Sequence, residues 1–403
     1  MELFWLEHKK LWRKKTVKIC VLLCFVYCVI FGSILSFQWF CFGSSDDYTS
    51  AFGNNFDGYT VIKDSQEYAL SFGGELTDET LQKIVSDYQQ MEADGMEEEL
   101  EKTDWQIVNS WLGTLYPELQ DTSNYKTMIS YVDPDKLTGF YERRQQVLDE
   151  FLEVSGQVGA EKEFLHQIER KVEKPFRYEW VEGWSTLLGS MVADLGVVMA
   201  LFLGIVLSSL FAGEWHDNTS TLVLTTRNGW GKIALAKILT GLAFTVELFA
   251  LLAVSNVISQ LFFMGTAGWD MPIQNIKLIA VAPMNMLQAE IYEYAFVLLG
   301  AIGFAGIVMF ISAAVKNNVL TLLLSLAVVY GPMMIVEYLP YEMQKALDLI
   351  PLVGSSTDIF RTNTFRIFGK LIWSPYLLIT IPVLIGILCM PFAIKSWSRR
   401  MKA

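Results

Sequence analysis

Six long stretches of this chain carry almost no charge, and they limit what it can fold into. A helix crossing the roughly 30 Å of hydrocarbon in a bilayer needs about 20 apolar residues. Val17–Phe42, Leu187–Ala212, Ile233–Met264, Ile291–Val315, Val319–Val336 and Pro375–Ile394 meet or approach that length. The chain is 52% hydrophobic, and the surplus lies at its start and across its second half, not evenly. The expected fold class is therefore an α-helical integral membrane protein with six transmembrane helices. The third stretch exceeds one crossing, which implies tilt or extension past the bilayer. The fifth is the shortest and ends near Gly331-Pro332. The first has the charged leader of a signal peptide, but its apolar run far exceeds the roughly 7–15 residues of a cleaved one. It reads as an uncleaved anchor.

Basic residues close to the spans set the orientation. Lys9, Lys10, Arg13, Lys14, Lys15 and Lys18 precede the first, and Lys395, Arg399, Arg400 and Lys402 follow the last. Both termini are expected in the cytoplasm of a cell-membrane protein, as an even number of spans requires. The loop 214–232, the tight Lys316-Asn317-Asn318 turn and the tail 395–403 fall on the same side. Residues 1–16 mix Leu3, Phe4, Trp5, Leu6, Leu11 and Trp12 with the basic cluster, a composition suited to a short amphipathic helix lying on the inner face.

Residues 43–185 then lie outside, and 337–374 form a second outer loop. The larger segment holds 30 Asp and Glu against 12 Lys and Arg, whereas the whole chain carries a net charge of −12, so the remainder is basic. This sign disfavours nucleic acid and anionic lipid; it either solvates an exposed domain or draws cationic ligands. Thr77-Asp78-Glu79 is a helix start, and Phe140, Val147, Leu148, Phe151 and Leu152, then Phe164, Leu165, Ile168 and Val172, recur at helical spacing. The outer domain is expected to be mainly helical. None of the five cysteines falls in it, so no disulfide frame supports it. Cys20, Cys24 and Cys28 share one face of the first helix, better suited to close packing than to a metal because no His or carboxylate joins them.

No catalytic constellation is present. The sequence lacks a GxxxxGK[ST] phosphate loop, an HExxH and a CxxC, and His8, His166 and His216 fall in three different regions. The expectation is a non-enzymatic chain that binds no cofactor of its own.

The most informative segment is FAGEWHDNTSTLVLTTRNGWGKIALAK, Phe211 to Lys237. It resembles the matching segment of type-2 (ABC-2-like) exporter permeases of the ATP-binding-cassette class. Their pattern is a Glu closing the second helix, a short polar helix, an Arg-containing turn, and a Lys entering the third helix. Glu214, Leu222 to Thr226, Arg227 and Lys237 occupy those positions here. The leader Glu7 to Lys15 is similar to the family's interfacial helix, and Leu349-Ile350-Pro351 to its outer loop before the last helix. The large outer domain is not covered by the resemblance. What the resemblance implies is a permease subunit whose 214–232 loop is a coupling helix docked on a separate ATPase subunit, which would hold the ATP and Mg. Leu222, Val223 and Leu224 would supply apolar contact, and Glu214, Arg227 and Lys237 polar anchors. A second permease copy or paralogue would complete the transporter, and the cargo would be amphipathic: a lipid, peptide antibiotic or drug. The same loop also reads as an amphipathic segment lying on lipid.

Two acids sit inside predicted spans, Asp194 in the second and Glu247 in the third. Counted from the helix ends, both fall in the outer half of the bilayer, at one level. They are candidates for a polar pathway receiving a cationic group, or for a hydrogen-bonded pair holding helices together. Glu290, Glu293 and Glu337 sit at predicted span ends and read as interfacial. Two other function classes stay open: a membrane sensor using the acidic domain, and a secondary transporter, which inverted repeats would favour.

Overall fold

The computed structural model describes residues 2–30, 73–96, 105–121, 126–188, 192–217, 231–353 and 362–399, with the isolated positions 62, 66, 69 and 219. The chain is mainly helical and has two parts, a bundle of long apolar helices and a smaller folded domain at one end of it.

The chain opens with α1 (Glu2–Arg13), an extended Lys14, and α2 (Lys15–Val29). The long helices that follow the domain are α8 (Val192–His216), α9 (Lys232–Met264), α10 (Met286–Val315), α11 (Asn318–Ile335) and α13 (Ser374–Arg399). Among the described residues, these five are long and apolar enough to cross a membrane. They correspond to the second to sixth apolar stretches of the sequence. The first stretch begins in α2, and its residues 31–42 lie outside the described part. Many outward-facing side chains of these helices are large and apolar, among them Phe262 at 74% exposure, Val319 at 66% and Leu388 at 64%. Such stripes are a liability in water and are covered by hydrocarbon in a bilayer.

The helix α10 is the centre of the bundle, touching α8, α9, α11 and α13. Its seam with α13 is backbone on backbone. A Cβ built on Gly306 would lie 2.4 Å from the Gly386 carbonyl oxygen, and one on Gly303 2.2 Å from that of Pro382. Only glycine fits at this distance, which is how apolar helices gain dispersion contact without a hydrophobic driving force. Against α8, Ser312 donates to the Ser208 carbonyl at 2.7 Å and accepts from the Phe211 and Ala212 amides, each at 3.1 Å. Cys20, Cys24 and Cys28 are buried, on the helix that touches α8 and α9.

One helix start differs from the sequence expectation. Leu187 and Leu188 are buried beneath the domain with Trp184 and Ile273, and the described part of α8 resumes at Val192. Asn285 and Gln288 form a reciprocal capping box that starts α10 at Met286. Glu290 and Glu293 lie in the first turns of this helix, packed inside the protein at 4% and 0% exposure. The Lys316 turn forms as read: Lys316 adopts φ 65° and Asn317 caps α11 through the Leu320 amide at 3.0 Å.

The domain holds α3 (Asp78–Ala93), α4 (Trp105–Leu115), α5 (Phe140–Val154), α6 (Ala160–Glu169) and the short α7 (Glu182–Thr186). Strands β1 (Gly74–Leu76) and β2 (Phe176–Tyr178) pair antiparallel. Thr77 caps α3, its hydroxyl accepting from the Thr80 amide at 3.2 Å. The domain core does not close on its own residues. The connection 265–285 between α9 and α10 inserts into it, burying Leu278 among Leu81, Trp111 and Phe140. The Trp111 indole donates to the Asn275 carbonyl at 3.1 Å. The fully buried Arg144 donates to the carbonyls of Leu278 at 2.6 Å and Ala280 at 3.1 Å, and pairs with Glu169 at 2.5 Å. Within 337–374, α12 (Tyr341–Leu347) precedes a hairpin of β3 (Thr364–Ile367) and β4 (Lys370–Trp373), which joins α6 through Arg366 and Glu161 at 2.6 Å. The domain is thus bolted to the ends of α9, α10 and α13.

Burial opposes ionisation of the Glu169 carboxyl, but its bonds to Lys174 and Arg144 outweigh that and hold it below the usual carboxylate range. A carboxyl depressed on folding gives stability that is complete above its unfolded value of about 4.3 and is lost as pH falls through the folded value. Glu169→Gln should lower the neutral-pH thermal midpoint, because it leaves Arg144 uncompensated at a cost of about 3 kcal/mol. It should also flatten the acid limb of the stability profile. Thermal melts of the detergent-solubilised chain from neutral pH downward check both; an unchanged acid limb contradicts the assignment.

Candidate functional site

The functional reading of the sequence centres on the two helix ends flanking 218–230, so the site is built from there. Glu214 is in the last turn of α8 and Lys237 in the second turn of α9, both in otherwise apolar helices. A lone charge in such a helix is expensive unless paired. The two meet at 2.8 Å, with Lys237 2% and Glu214 4% exposed.

The pair is extended by α1, which lies across α9. Leu11 is buried while Trp5 and Leu6 point outward, so this helix is amphipathic as its sequence suggests. Its polar face supplies Glu7, whose carboxylate accepts from Lys237 at 2.8 Å, and Lys10, which donates to Glu214 at 2.6 Å. Thr219 donates its hydroxyl to the second oxygen of Glu214. The result is a charge-alternating chain, Glu7–Lys237–Glu214–Lys10, in which every buried charge has a partner of opposite sign. Burial opposes the charge on Lys10, yet its bond to Glu214 raises its pKa above the ordinary value. Lys14 behaves oppositely: burial, then repulsion from Lys237 and Lys10, lowers its pKa, and it donates to the Ser209 hydroxyl at 3.0 Å.

A second polar contact forms from His8 and Trp12, interleaved on α1 with Glu7 and Lys10 and about three turns further along α9. The His8 Nε2 lies 2.9 and 3.1 Å from the two oxygens of Glu247, and the Trp12 indole donates to Glu247 at 3.0 Å. The Trp12 ring packs edge-on against Phe244, centroids 5.7 Å apart. Together the contacts hold α1 to α8 and to about three turns of α9.

Of the residues singled out in the sequence, Glu214 and Lys237 are therefore brought together. Leu222, Val223, Leu224 and Arg227 lie outside the described residues, as does the side chain of Asp194. The common level expected for Asp194 and Glu247 does not hold. A Cβ on Gly241 would rest 3.3 Å from Leu210 and 3.5 Å from Leu207, which fixes the antiparallel register of α8 and α9. Following both helices from there leaves Glu247 and Asp194 about 13 Å apart along the bundle. Counting each acid from its own helix end missed this offset, because α9 runs for 33 residues and its register against α8 is set by packing. Glu247 faces α1 instead.

Sequence reasoning did not assign roles to Glu7, His8, Lys10 and Trp12. The available signal was Lys237 itself. A lysine inside an apolar helix demands anions, and the acids nearest the same end are Glu7 and Glu214.

Mechanically the arrangement is a clasp: it ties the amphipathic helix to both helices that lead into and out of 218–230. Lys237→Met would take the cation from Glu7 and leave Glu214 with Lys10 and Thr219 alone, and should lower stability by about 3 kcal/mol. Lys10→Ala, at a half-exposed position, should change it by no more than about 1 kcal/mol. Thermal melts of the two variants decide, and equal losses contradict the clasp. Neither a family model, nor a curated protein, nor a solved structure matches the chain.

Proposed function

We propose that this chain is the permease subunit of an ATP-driven exporter of the ABC-2-like class, powered by a separate ATPase subunit. One observation carries the reading. The residues on which the resemblance rests come from two distant parts of the sequence, the Glu7 to Lys15 leader and the Phe211 to Lys237 segment. They converge on one ionic clasp through Glu7, Lys10, Glu214 and Lys237.

In this reading α2 continues through residues 31–42 as the first of six spans, both termini are cytoplasmic, and the acidic domain is extracellular. The loop 214–232 is the coupling element, with Leu222, Val223 and Leu224 seated on the ATPase and Arg227 anchoring its edge. The partner holds ATP and Mg. A push on the loop reaches α8 and α9 at their ends, and the clasp carries it to α1, so the three move as a unit. At the far end, α9 and α10 carry the connection that completes the domain core, so the same motion reaches the outside. The cargo is amphipathic, and a second permease copy or paralogue completes the transporter in the cell membrane.

Co-expression with an ATPase encoded beside this chain, followed by purification on a tag carried by the permease, tests the proposal. The ATPase should co-purify with the wild type, and Leu222→Asp should reduce its recovery about tenfold or more while the permease stays folded. Undiminished recovery with Leu222→Asp would place the contact elsewhere, and absence of a co-purifying ATPase would favour a carrier that needs none.

A further inference from the structure

The clasp does not involve a second polar group, buried at the other end of the bundle between α9 and α10. These helices run antiparallel in a constant register. Gly241 meets Met309, and Asn256 donates through Nδ2 to the Tyr294 hydroxyl at 3.2 Å. One turn further toward the domain, the same register sets Gln260 opposite Glu290.

All three side chains are sealed from solvent: Gln260 is 0% exposed, Asn256 2% and Glu290 4%. Among the described residues, the Asn256 Oδ1 and both polar atoms of Gln260 have no hydrogen-bond partner, and the Glu290 carboxyl is met by the Tyr294 hydroxyl alone. Buried polar atoms are nearly always satisfied, so this seam is a strong exception. The imbalance also has a sign. The under-satisfied groups are two amide oxygens and a carboxyl against a single amide NH₂, and no lysine, arginine or histidine is paired with Glu290 among the described residues. A group rich in acceptors and poor in donors fits a positive ligand.

We propose that Glu290, Gln260 and Asn256, with the Tyr294 hydroxyl, form a binding site for a small monovalent cation in the α9–α10 seam. One carboxylate, two amide oxygens and a hydroxyl match the hard oxygen donors that an alkali ion takes when it sheds its water. A single carboxylate balances one positive charge, whereas a divalent ion is ordinarily met by several. A carboxyl buried among membrane helices is a recurrent mark of an ion or proton pathway. The bound ion would tie α9 to α10 directly beneath the connection that enters the domain. The inference goes beyond the exporter reading and does not depend on an ATPase partner.

The test uses the purified full chain in detergent. Thermal midpoints are measured in sodium, potassium, lithium and ammonium chloride, each against N-methylglucamine chloride at the same ionic strength, so that general screening is matched. One small cation should raise the midpoint saturably, by about 3 °C at roughly a hundredfold its dissociation constant. Glu290→Gln and Gln260→Leu should each abolish that shift. Identical midpoints in all the salts overturn the proposal without need of a variant. A shift that persists undiminished in the variants also overturns it, since it would then arise from ions gathered by the acidic domain. Should Glu290→Gln fail to fold, Gln260→Leu and the wild-type salt series still decide.

Discussion

The membrane part of this protein is organised around one buried lysine. Lys237 enters an apolar helix with its ammonium 2% exposed and must find negative charge within reach. It takes Glu214 from the end of α8 and Glu7 from α1, each at 2.8 Å. Satisfying this one charge fixes the position of the amphipathic helix, closes the end of α8 on the start of α9, and holds the two roots of the 218–230 loop together. Each salt bridge adds little net stability over an apolar contact of the same shape. What it adds is specificity, because any slippage of α1 along α9 leaves a buried charge without a partner.

The opposite end is built on different physics. There the bundle meets the folded domain through backbone carbonyls held by Arg144 and Trp111, and through apolar burial of the 265–285 connection. Between the two ends, α10 is pressed against α13 at glycines that admit no side chain. The molecule therefore has a stiff central seam, an ionic clasp at one end and a domain locked to α9 and α10 at the other. In the proposed reading such a body would pass displacement from end to end, because close-packed contacts shift between discrete arrangements and do not deform smoothly.

The long apolar helices were legible because hydrocarbon thickness imposes a length that sequence displays directly. The Thr77 cap and the Lys316 turn were legible for a similar reason, since their signals are local. Partnerships were not. The axial offset between Asp194 and Glu247 was not legible because a sequence does not give the register of a 33-residue helix against its neighbour. The burial of Glu290 within the protein is likewise a tertiary fact. The domain looked self-contained because Leu278 and Asn275, which complete it, lie about a hundred residues downstream of Arg177. Glu214 and Lys237 were recognised individually from a family pattern, but their convergence with Glu7 and Lys10 is a tertiary fact that spacing does not encode.

A double-mutant cycle on the clasp tests its central claim most directly. Glu214→Gln, Lys237→Met and the double variant are compared by denaturant or thermal unfolding of the full chain. If Glu214 and Lys237 depend on each other for burial, the double variant should lose less than the sum of the two single losses, by about 1–3 kcal/mol. Strict additivity would mean that the two charges are satisfied independently, and the clasp would not be the element that joins α1, α8 and α9.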